Sequence, residues 1–270
     1  HYDPGMVAAY CGWGDTLFVL ASQTAGDKTV ETLNSAIDIY KGALAMGNDD
    51  SEIYCLLGLA LLELSKFKAE REAERLLDSA EEKFRQAIER DQGMYEAWNG
   101  YGLLLLEEAE MQADPMPFLQ RAREKFQTAV HCENNRMEAL SGLGQTLTAQ
   151  AESTSNPKEA SAFLAQAREK FQSAMQIQPD HCETIDNLGA VLMLLAEKSD
   201  RPATESLLLI EAMESFKAAL SLNSCNDKAL TRWGNSLVQM SRNKIPEEAE
   251  NLLKMAEEKY QAALDINPNN

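Results

Sequence analysis

The sequence predicts an all-α solenoid built from six pairs of helices, and two repeated patterns predict it. In the first pattern, two alanines flank an aromatic residue, as in Ala122, Phe126 and Ala129. Offsets of four and seven residues place the three side chains on one stripe of an α-helix. The small residues allow a neighbouring helix to approach closely, and the ring fills the space between them. The pattern occurs in the segments 36–43, 80–87, 122–129, 167–174, 212–219 and 256–263.

A second pattern precedes each copy of the first and predicts the other helix of each pair. Its third copy consists of Trp98, Tyr101, Gly102 and Leu105, which share one helical face. A glycine in a helix interior costs about 1 kcal/mol relative to alanine, so we expect close contact with another helix to compensate for it. The glycines recur at spacings of 44, 44, 42, 45 and 45 residues, at Gly14, Gly58, Gly102, Gly144, Gly189 and Gly234.

In-phase copies of both patterns indicate a repeat array that forms one continuous solenoid domain. The predicted repeats span residues 7–50, 51–94, 95–136, 137–181, 182–226 and 227–270. Residues 1–6 are predicted to be the tail of a preceding repeat, because Pro4 lies ten residues before Gly14, as Pro179 does before Gly189. The sequence also stops at a repeat boundary without a polar capping helix, so we expect it to be a segment of a longer protein.

Together the two patterns resemble the tetratricopeptide repeat (TPR) family, whose repeats read W-x2-L-G-x2-Y…A-x3-F…P. The third repeat matches this pattern with Trp98, Gly102 and Phe126, and the other repeats carry equivalent residues. The closing proline is present only at Pro179 and Pro268. The resemblance implies a right-handed superhelix of six antiparallel helix pairs. Family repeats have about 34 residues, whereas these are about ten residues longer.

The additional residues lie between the two patterns of each repeat and are predicted to lengthen the second helix. Proline at the first helical position is a helix-start signal, so the second helices should begin early. In the second repeat, residues 66–75 contain neither proline nor glycine, so its two helices are expected to fuse nearly or to turn tightly. The start signals are Ala25-Gly26-Asp27, Asp114-Pro115, Asn156-Pro157, Arg201-Pro202 and Ile245-Pro246.

The charge of the chain argues against a polyanionic partner. There are 43 acidic and 25 basic residues, which gives a formal net charge of −18. A nucleic-acid-binding protein normally carries a basic stripe, and this sequence has no basic run, so nucleic acid is not expected. An RNA-binding helical-repeat protein of the half-a-TPR kind is the alternative function. The acidic surface also keeps a long array in solution, which is the plainer interpretation of the charge.

The cysteines and the apolar segments bear on the compartment. An odd number of cysteines without CxxC spacing is typical of free thiols in a reducing, intracellular compartment. No apolar run is long enough to cross a membrane, so membrane insertion is not expected. The sequence has no signal peptide and no initiator methionine, so we expect a cytoplasmic or organelle-interior protein whose targeting region is missing from this segment. The cysteines are Cys11, Cys55, Cys132, Cys182 and Cys225.

No motif predicts an enzyme, a metal site or a cofactor. His131-Cys132 and His181-Cys182 contain residue types that bind zinc, but the two pairs lie at different places in their repeats and nothing assembles four ligands. Neither pair has the third, orienting group that nucleophilic catalysis requires. The sequence lacks a glycine-rich phosphate loop, and its carboxylates are dispersed on solvated helix faces. We therefore expect no catalytic, cofactor-binding or metal-binding residues.

The resemblance implies a binding surface in place of an active site. In TPR proteins the stripe of the first helix that lies opposite its buried pattern lines a concave groove, which binds peptides or helices. Two other interpretations stay open: glutamates favour a helix N-terminus, and the leucines could pack beneath the lengthened second helices. By the resemblance, the groove residues are Cys11, Asp15, Phe18, Glu52, Cys55, Leu59, Leu62, Glu96, Asn99, Leu103, Leu106, Glu138, Gln145, Asp186 and Asn235.

These residues also predict the kind of partner. TPR domains that hold chaperone C-terminal carboxylates resemble one another in a clamp of Lys, Asn and Arg on this stripe, and the chain has neither Lys nor Arg there. An acidic groove would repel such a carboxylate, so the clamp is absent. The sequence predicts a non-enzymatic scaffold or adaptor that binds a basic or amphipathic protein segment. The clamp positions hold Cys11, Cys55, Asn99, Ser141, Asp186 and Thr231.

Overall fold

The computed structural model describes residues 4–47, 49–133 and 135–268, which form twelve α-helices and no β-strand. Short turns join the two helices of each pair, which makes them antiparallel neighbours. The prediction of an all-α array of paired helices is confirmed. The helices are α1 (Pro4–Ser22), α2 (Asp27–Ala45), α3 (Ser51–Ser65), α4 (Glu70–Arg90), α5 (Tyr95–Glu110), α6 (Met116–Cys132), α7 (Met137–Ser153), α8 (Pro157–Ile177), α9 (Cys182–Glu197), α10 (Pro202–Leu222), α11 (Asp227–Ser241) and α12 (Pro246–Ile266).

The predicted N-terminal tail, residues 1–6, overlaps the first residues of α1. Residues 1–3 of that tail lie outside the described residues, and Pro4 is the first residue of α1. Residues 269 and 270 of the last predicted repeat also lie outside the described residues. The repeat boundaries stay a prediction.

The chain divides into two compact units, His1–Asn134 and Asn135–Asn270. In unit 1, α2 packs against α3, α4 packs against α5, and the first helices α1, α3 and α5 contact one another in succession. In unit 2, α8 packs against α9, α10 packs against α11, and α7, α9 and α11 contact one another in the same way. Each unit therefore consists of three helix pairs stacked by equivalent contacts.

The inserted residues begin the second helices, as the sequence predicts. Three of these helices begin at the predicted proline, at Pro157, Pro202 and Pro246. The side chain of Asn156 accepts a hydrogen bond from the backbone N–H of Lys158 and caps α8. At the start of α2, Gly26 has a φ of +63°, a conformation that favours glycine.

In the second repeat the two helices turn tightly over residues 66–69, which confirms one of the two predicted alternatives and shows that near fusion was wrong. The turn over residues 66–69 resembles those of the other repeats, and α4 has 21 residues, like α8, α10 and α12. The turn needs neither proline nor glycine, because Ala69 precedes α4 in an ordinary extended conformation. The shortest second helix is α6, with 17 residues. It begins only after Pro115 and contains Pro117.

An aromatic ring lies against a glycine in every helix pair. In the third pair, a Cβ atom added to Gly102 would lie 2.7 Å from Cε1 of Phe126, closer than real Cβ contacts allow. The same contact occurs in all six pairs, with nearest distances of 2.5–2.9 Å. Glycine therefore lets the ring fill the space between the two helices, and dense packing offsets its low helix propensity. The rings belong to Tyr40, Phe84, Phe126, Phe171, Phe216 and Tyr260.

Replacing the glycine should destabilise unit 1. We expect Gly102→Ala to lower the free energy of unfolding by about 1–2 kcal/mol in urea denaturation, because the new methyl group overlaps the Phe126 ring. The matched control is Gly12→Ala in α1, where an added Cβ meets nothing within 4 Å. That substitution should stabilise the protein by up to about 1 kcal/mol through helix propensity. Equal effects of the two substitutions would contradict the steric explanation.

Candidate functional site

The candidate groove residues differ widely in exposure. Glu52, Glu96, Leu103, Glu138 and Asn235 are exposed. Cys55, Leu62 and Asp186 are buried, and the remaining seven are half-buried. The exposed residues can meet a partner directly, whereas the buried ones cannot. The half-buried residues are Cys11, Asp15, Phe18, Leu59, Asn99, Leu106 and Gln145.

Cys55 and Leu62 belong to the protein interior, which corrects their assignment to the groove. Their side chains are only 1% and 2% exposed. The cause is that α3 contacts both α1 and α5, so part of its supposedly outward stripe is covered by the neighbouring first helices. Burial raises the pKa of the Cys55 thiol to about 12, with Glu96 and Glu52 adding to the effect. This thiol stays protonated at neutral pH.

The leucine strip that remains at the surface consists of Leu59, Leu103 and Leu106. Leu103 is 37% exposed, and the other two are half-buried. Leu59 of α3 leans on Gly100 of α5, because its Cδ2 atom would lie 3.2 Å from a Cβ added to that glycine. The ring of Phe84 lies closer still, at 2.5 Å, so the glycine lets both Leu59 and this ring pack against α5. Gly100 was missed by sequence reasoning, although its position two residues before Gly102 was the available signal.

Carboxylates border this strip at the C-terminal ends of α3 and α5. Glu63 forms an ion pair of 2.8 Å with Lys66. Glu107 is half-buried, and desolvation raises its pKa, with Lys66 opposing the shift and Glu110 and Glu63 adding to it. Among the described residues, Lys66 is therefore the one cation acting on several carboxylates here. An additional cation would be stabilised at this end of the strip.

Asp15 and Asn235 have a structural role that sequence reasoning missed. The hydroxyl of Tyr40 donates a 2.8 Å hydrogen bond to Oδ1 of Asp15, and the hydroxyl of Tyr260 donates a 2.8 Å bond to Oδ1 of Asn235. Both acceptors directly follow the signature glycine. In the other four repeats the ring is phenylalanine and has no hydroxyl to satisfy. The signal was present, because tyrosine occurs only in the repeats with Asp or Asn after that glycine.

Asp186 forms an ion pair with a residue of a neighbouring helix. It is 5% exposed, and its partner is Arg232 of α11. Its Oδ1 atom is buried and has no hydrogen-bond partner among the described residues. Desolvation raises the pKa of this carboxyl, and Arg232 opposes the shift. The residue therefore joins α9 to α11 and does not offer a free carboxylate to a partner.

Three further candidate residues lie in different surroundings. The side chain of Gln145 donates a 3.3 Å hydrogen bond to Glu183. Phe18 lies beside a cavity of about 400 Å³ that Leu33 and Phe67 also line. The Oδ1 atom of Asn99 is buried without a hydrogen-bond partner among the described residues.

The two His-Cys pairs have structural contacts. His181 caps α9 by accepting a hydrogen bond from the N–H of Thr184, and the ring of His131 bonds to the carbonyl of Gln127. All five cysteines are free thiols. No group of three or more His, Cys, Asp or Glu side chains in the described part of the chain is placed to hold a metal ion. No helix within that part has the length and apolar character of a membrane span.

Similar solved structures decide the type of array. A thermophilic TPR protein of Thermus thermophilus superposes with a TM-score of 0.56 at 19% identity, over 79% of this chain and 93% of that chain. This chain has the TPR fold. PilF of Pseudomonas aeruginosa gives a TM-score of 0.62 at 13% identity, over 97% of this chain and 95% of that chain.

The chain is also similar to part of a larger solved chain and to one family model. A chain of the APC/C hetero-tetramer Cut9–Hcn1 gives a TM-score of 0.62 at 14% identity, with 98% of this chain covering 46% of that chain. The family model of the plant-specific mitochondrial import receptor subunit TOM20 matches residues 90–190 of this TPR array. No curated protein matches the sequence.

The contact between Asp186 and Arg232 predicts a pH-dependent loss of stability on substitution. Arg232→Ala should lower the free energy of unfolding by about 1–3 kcal/mol at neutral pH, because it leaves a buried carboxylate unpaired. The folded-state pKa of Asp186 lies above its unfolded value, so protonation favours the folded state. The loss should therefore be largest above the folded pKa and shrink as the pH falls through it. Urea denaturation at several pH values measures this.

The control for this prediction removes the charge as well. Asp186→Asn combined with Arg232→Ala should recover much of the lost stability and show a weaker pH dependence. A loss in Arg232→Ala that stays constant with pH would contradict the assigned role of the carboxylate.

Proposed function

We propose that this chain is a non-enzymatic scaffold whose second and third helix pairs bind a basic, amphipathic helix of a partner protein. The observation that carries the proposal is the surface leucine strip centred on Leu103, with Glu52, Glu96 and Glu107 along its borders. Exposed apolar side chains among carboxylates suit a helix with Leu or Phe on one face and Lys or Arg at its margins.

The two kinds of side chain have different parts in the proposed binding. Leu103, with Leu59 and Leu106 beside it, supplies apolar area that a partner helix would bury, and such central contacts carry most of the affinity. The bordering carboxylates orient the partner and increase the association rate by attracting its positive charge. Leu62 is buried in the protein interior, so we expect it to contribute to folding and not to direct contact with the partner.

The comparisons support a protein-binding role without identifying a partner. The family model that matches residues 90–190 describes an import receptor subunit, and one similar chain comes from a hetero-tetramer. These descriptions belong to those proteins. For this chain, the net charge of −18 supports a basic protein segment over a nucleic acid.

Leu103 should be required for binding but not for folding. The probe is an 18-residue peptide of Leu and Lys whose leucines share one helical face. We expect Leu103→Ala to weaken its binding by about 1–2 kcal/mol in calorimetry and to leave the unfolding midpoint nearly unchanged. The matched variant is Leu62→Ala, which should lose about 2–5 kcal/mol of stability because it creates a cavity. It should retain the affinity at temperatures where it is folded.

A second peptide of the same composition, with its leucines distributed around the helix, controls for charge attraction alone. It should bind more weakly than the amphipathic peptide. Equal binding of both peptides, or unchanged affinity in Leu103→Ala, would end the groove proposal.

A further inference from the structure

A cavity of about 370 Å³ lies between α4, the C-terminal end of α5 and the start of α6 in unit 1. Leu77, Met111 and Phe118 form its apolar walls. On α5, Glu108 lines the cavity from the side opposite Leu103 and Leu106, since the intervening residues rotate the helix by roughly 140° and 200°. The cavity is therefore a second surface, separate from the leucine strip.

Carboxylates dominate the polar lining of this cavity. Glu74, Asp78, Glu81 and Glu108 all reach it, against the one cation Arg121. Arg121 is already engaged, because it donates hydrogen bonds to Glu81 at 2.8 Å and to the hydroxyl of Tyr101 at 3.1 Å. The lining thus retains an excess of negative charge after its internal ion pair is formed.

Glu108 contributes to the cavity a carboxylate oxygen that has no partner in the described part of the chain. It forms no hydrogen bond or ion pair among the described residues, and its Oε2 atom is fully buried. Desolvation raises its pKa to about 7, Glu81 and Asp78 add to the shift, and Arg121 opposes it. Glu108 as a whole is half-buried, but a carboxylate oxygen held away from water without a partner costs free energy, and no described residue of the cavity offsets that cost with a hydrogen bond.

An equivalent cavity in unit 2 allows the lining residues to be compared at matching positions of the repeat. When Ala80 is aligned with Ala167 and Gly102 with Gly189, the cavity between α8, α9 and α10 corresponds to this one and has a volume of about 610 Å³. Its counterparts of Glu74, Asp78, Glu81 and Glu108 are Ser161, Ala165, Arg168 and Leu195.

The equivalent cavity shows that packing does not demand the carboxylates. The uncharged Leu195 occupies the place of Glu108. The ion pair between the second helices persists with its polarity reversed, as Arg168 to Glu211 at 2.9 Å where unit 1 has Glu81 and Arg121. The same helix geometry therefore accommodates an apolar or a charged lining. Perturbed carboxyl groups in a cavity that the fold does not require are characteristic of binding sites.

We propose that the cavity of unit 1 binds a lysine or arginine side chain of a partner protein, with Glu108 as its principal acceptor. The aliphatic stem would lie against Leu77 and Phe118, and the charged head would donate hydrogen bonds to the carboxylate of Glu108, including its enclosed Oε2 atom. The bound cation supplies the partner that Glu108 lacks. The site goes beyond the proposed leucine strip, and each can fail without the other.

The test measures binding of N-acetyl-L-argininamide and N-acetyl-L-lysinamide by NMR of protein labelled with ¹³C at the glutamate carboxyl carbons. Both cations should produce a saturable shift of the Glu108 signal at pH 8, and N-acetyl-L-citrullinamide, which is neutral, should not. Binding should weaken as the pH falls towards 6 and Glu108 is protonated. Saturating ligand should correspondingly lower the pKa of Glu108, which pH titration of the same signal measures.

Two variants separate this site from the general acidity of the chain. Glu108→Leu, which copies Leu195, should weaken cation binding by about tenfold while the protein stays folded. Glu82→Gln removes one exposed carboxylate from α4 outside the cavity and should leave binding unchanged. Absence of a saturable shift, an equal response to the citrulline compound, or equal weakening in the two variants would overturn the proposal. Leu103→Ala should have no effect on this binding.

Discussion

The contact between an aromatic ring and a glycine in the facing helix is the constraint on which the rest of this structure depends. In all six pairs the ring occupies the volume in which a Cβ atom of the glycine would lie, at 2.5–2.9 Å. Because displacing a packed ring or a helix backbone costs free energy, this contact sets how closely the two helices approach and which faces they turn towards each other. Each pair thereby acquires the same geometry, and stacking the pairs places equivalent positions in equivalent surroundings.

Positions outside that contact hold different residues in different repeats, and these differences give each repeat its own side-chain contacts. The ring gains a hydroxyl only where Asp15 or Asn235 can accept its hydrogen bond. At one cavity position the chain has Glu108 in one unit and Leu195 in the other. A position at which the repeats differ in this way therefore holds a residue that the fold itself does not require. The surface leucine strip and the acidic cavity both use such variable positions.

The sequence was sufficient to predict the helices and their pairing, because the small-aromatic-small pattern and the glycine pattern contact each other within one helix pair. It was insufficient where side chains of different repeats meet. Burial of Cys55 and Leu62 depends on how closely α3 contacts its neighbouring first helices, which no local pattern reports. Asp186 and Arg232 are 46 residues apart, and their ion pair follows only from the stacking of α9 on α11. The cavity around Glu108 is formed by side chains of α4, α5 and α6, so no pattern within a single helix predicts it.

A double-mutant cycle between Gly102 and Phe126 tests the central constraint most directly, because it isolates the energy that the two residues share. The free energy of unfolding would be measured for Gly102→Ala, for Phe126→Leu and for the combination. If the ring and the missing Cβ compete for one volume, the alanine should cost little in the Phe126→Leu background, since the smaller side chain can rotate away. The coupling should then be about 1–2 kcal/mol. Additive effects, within about 0.5 kcal/mol, would contradict the account.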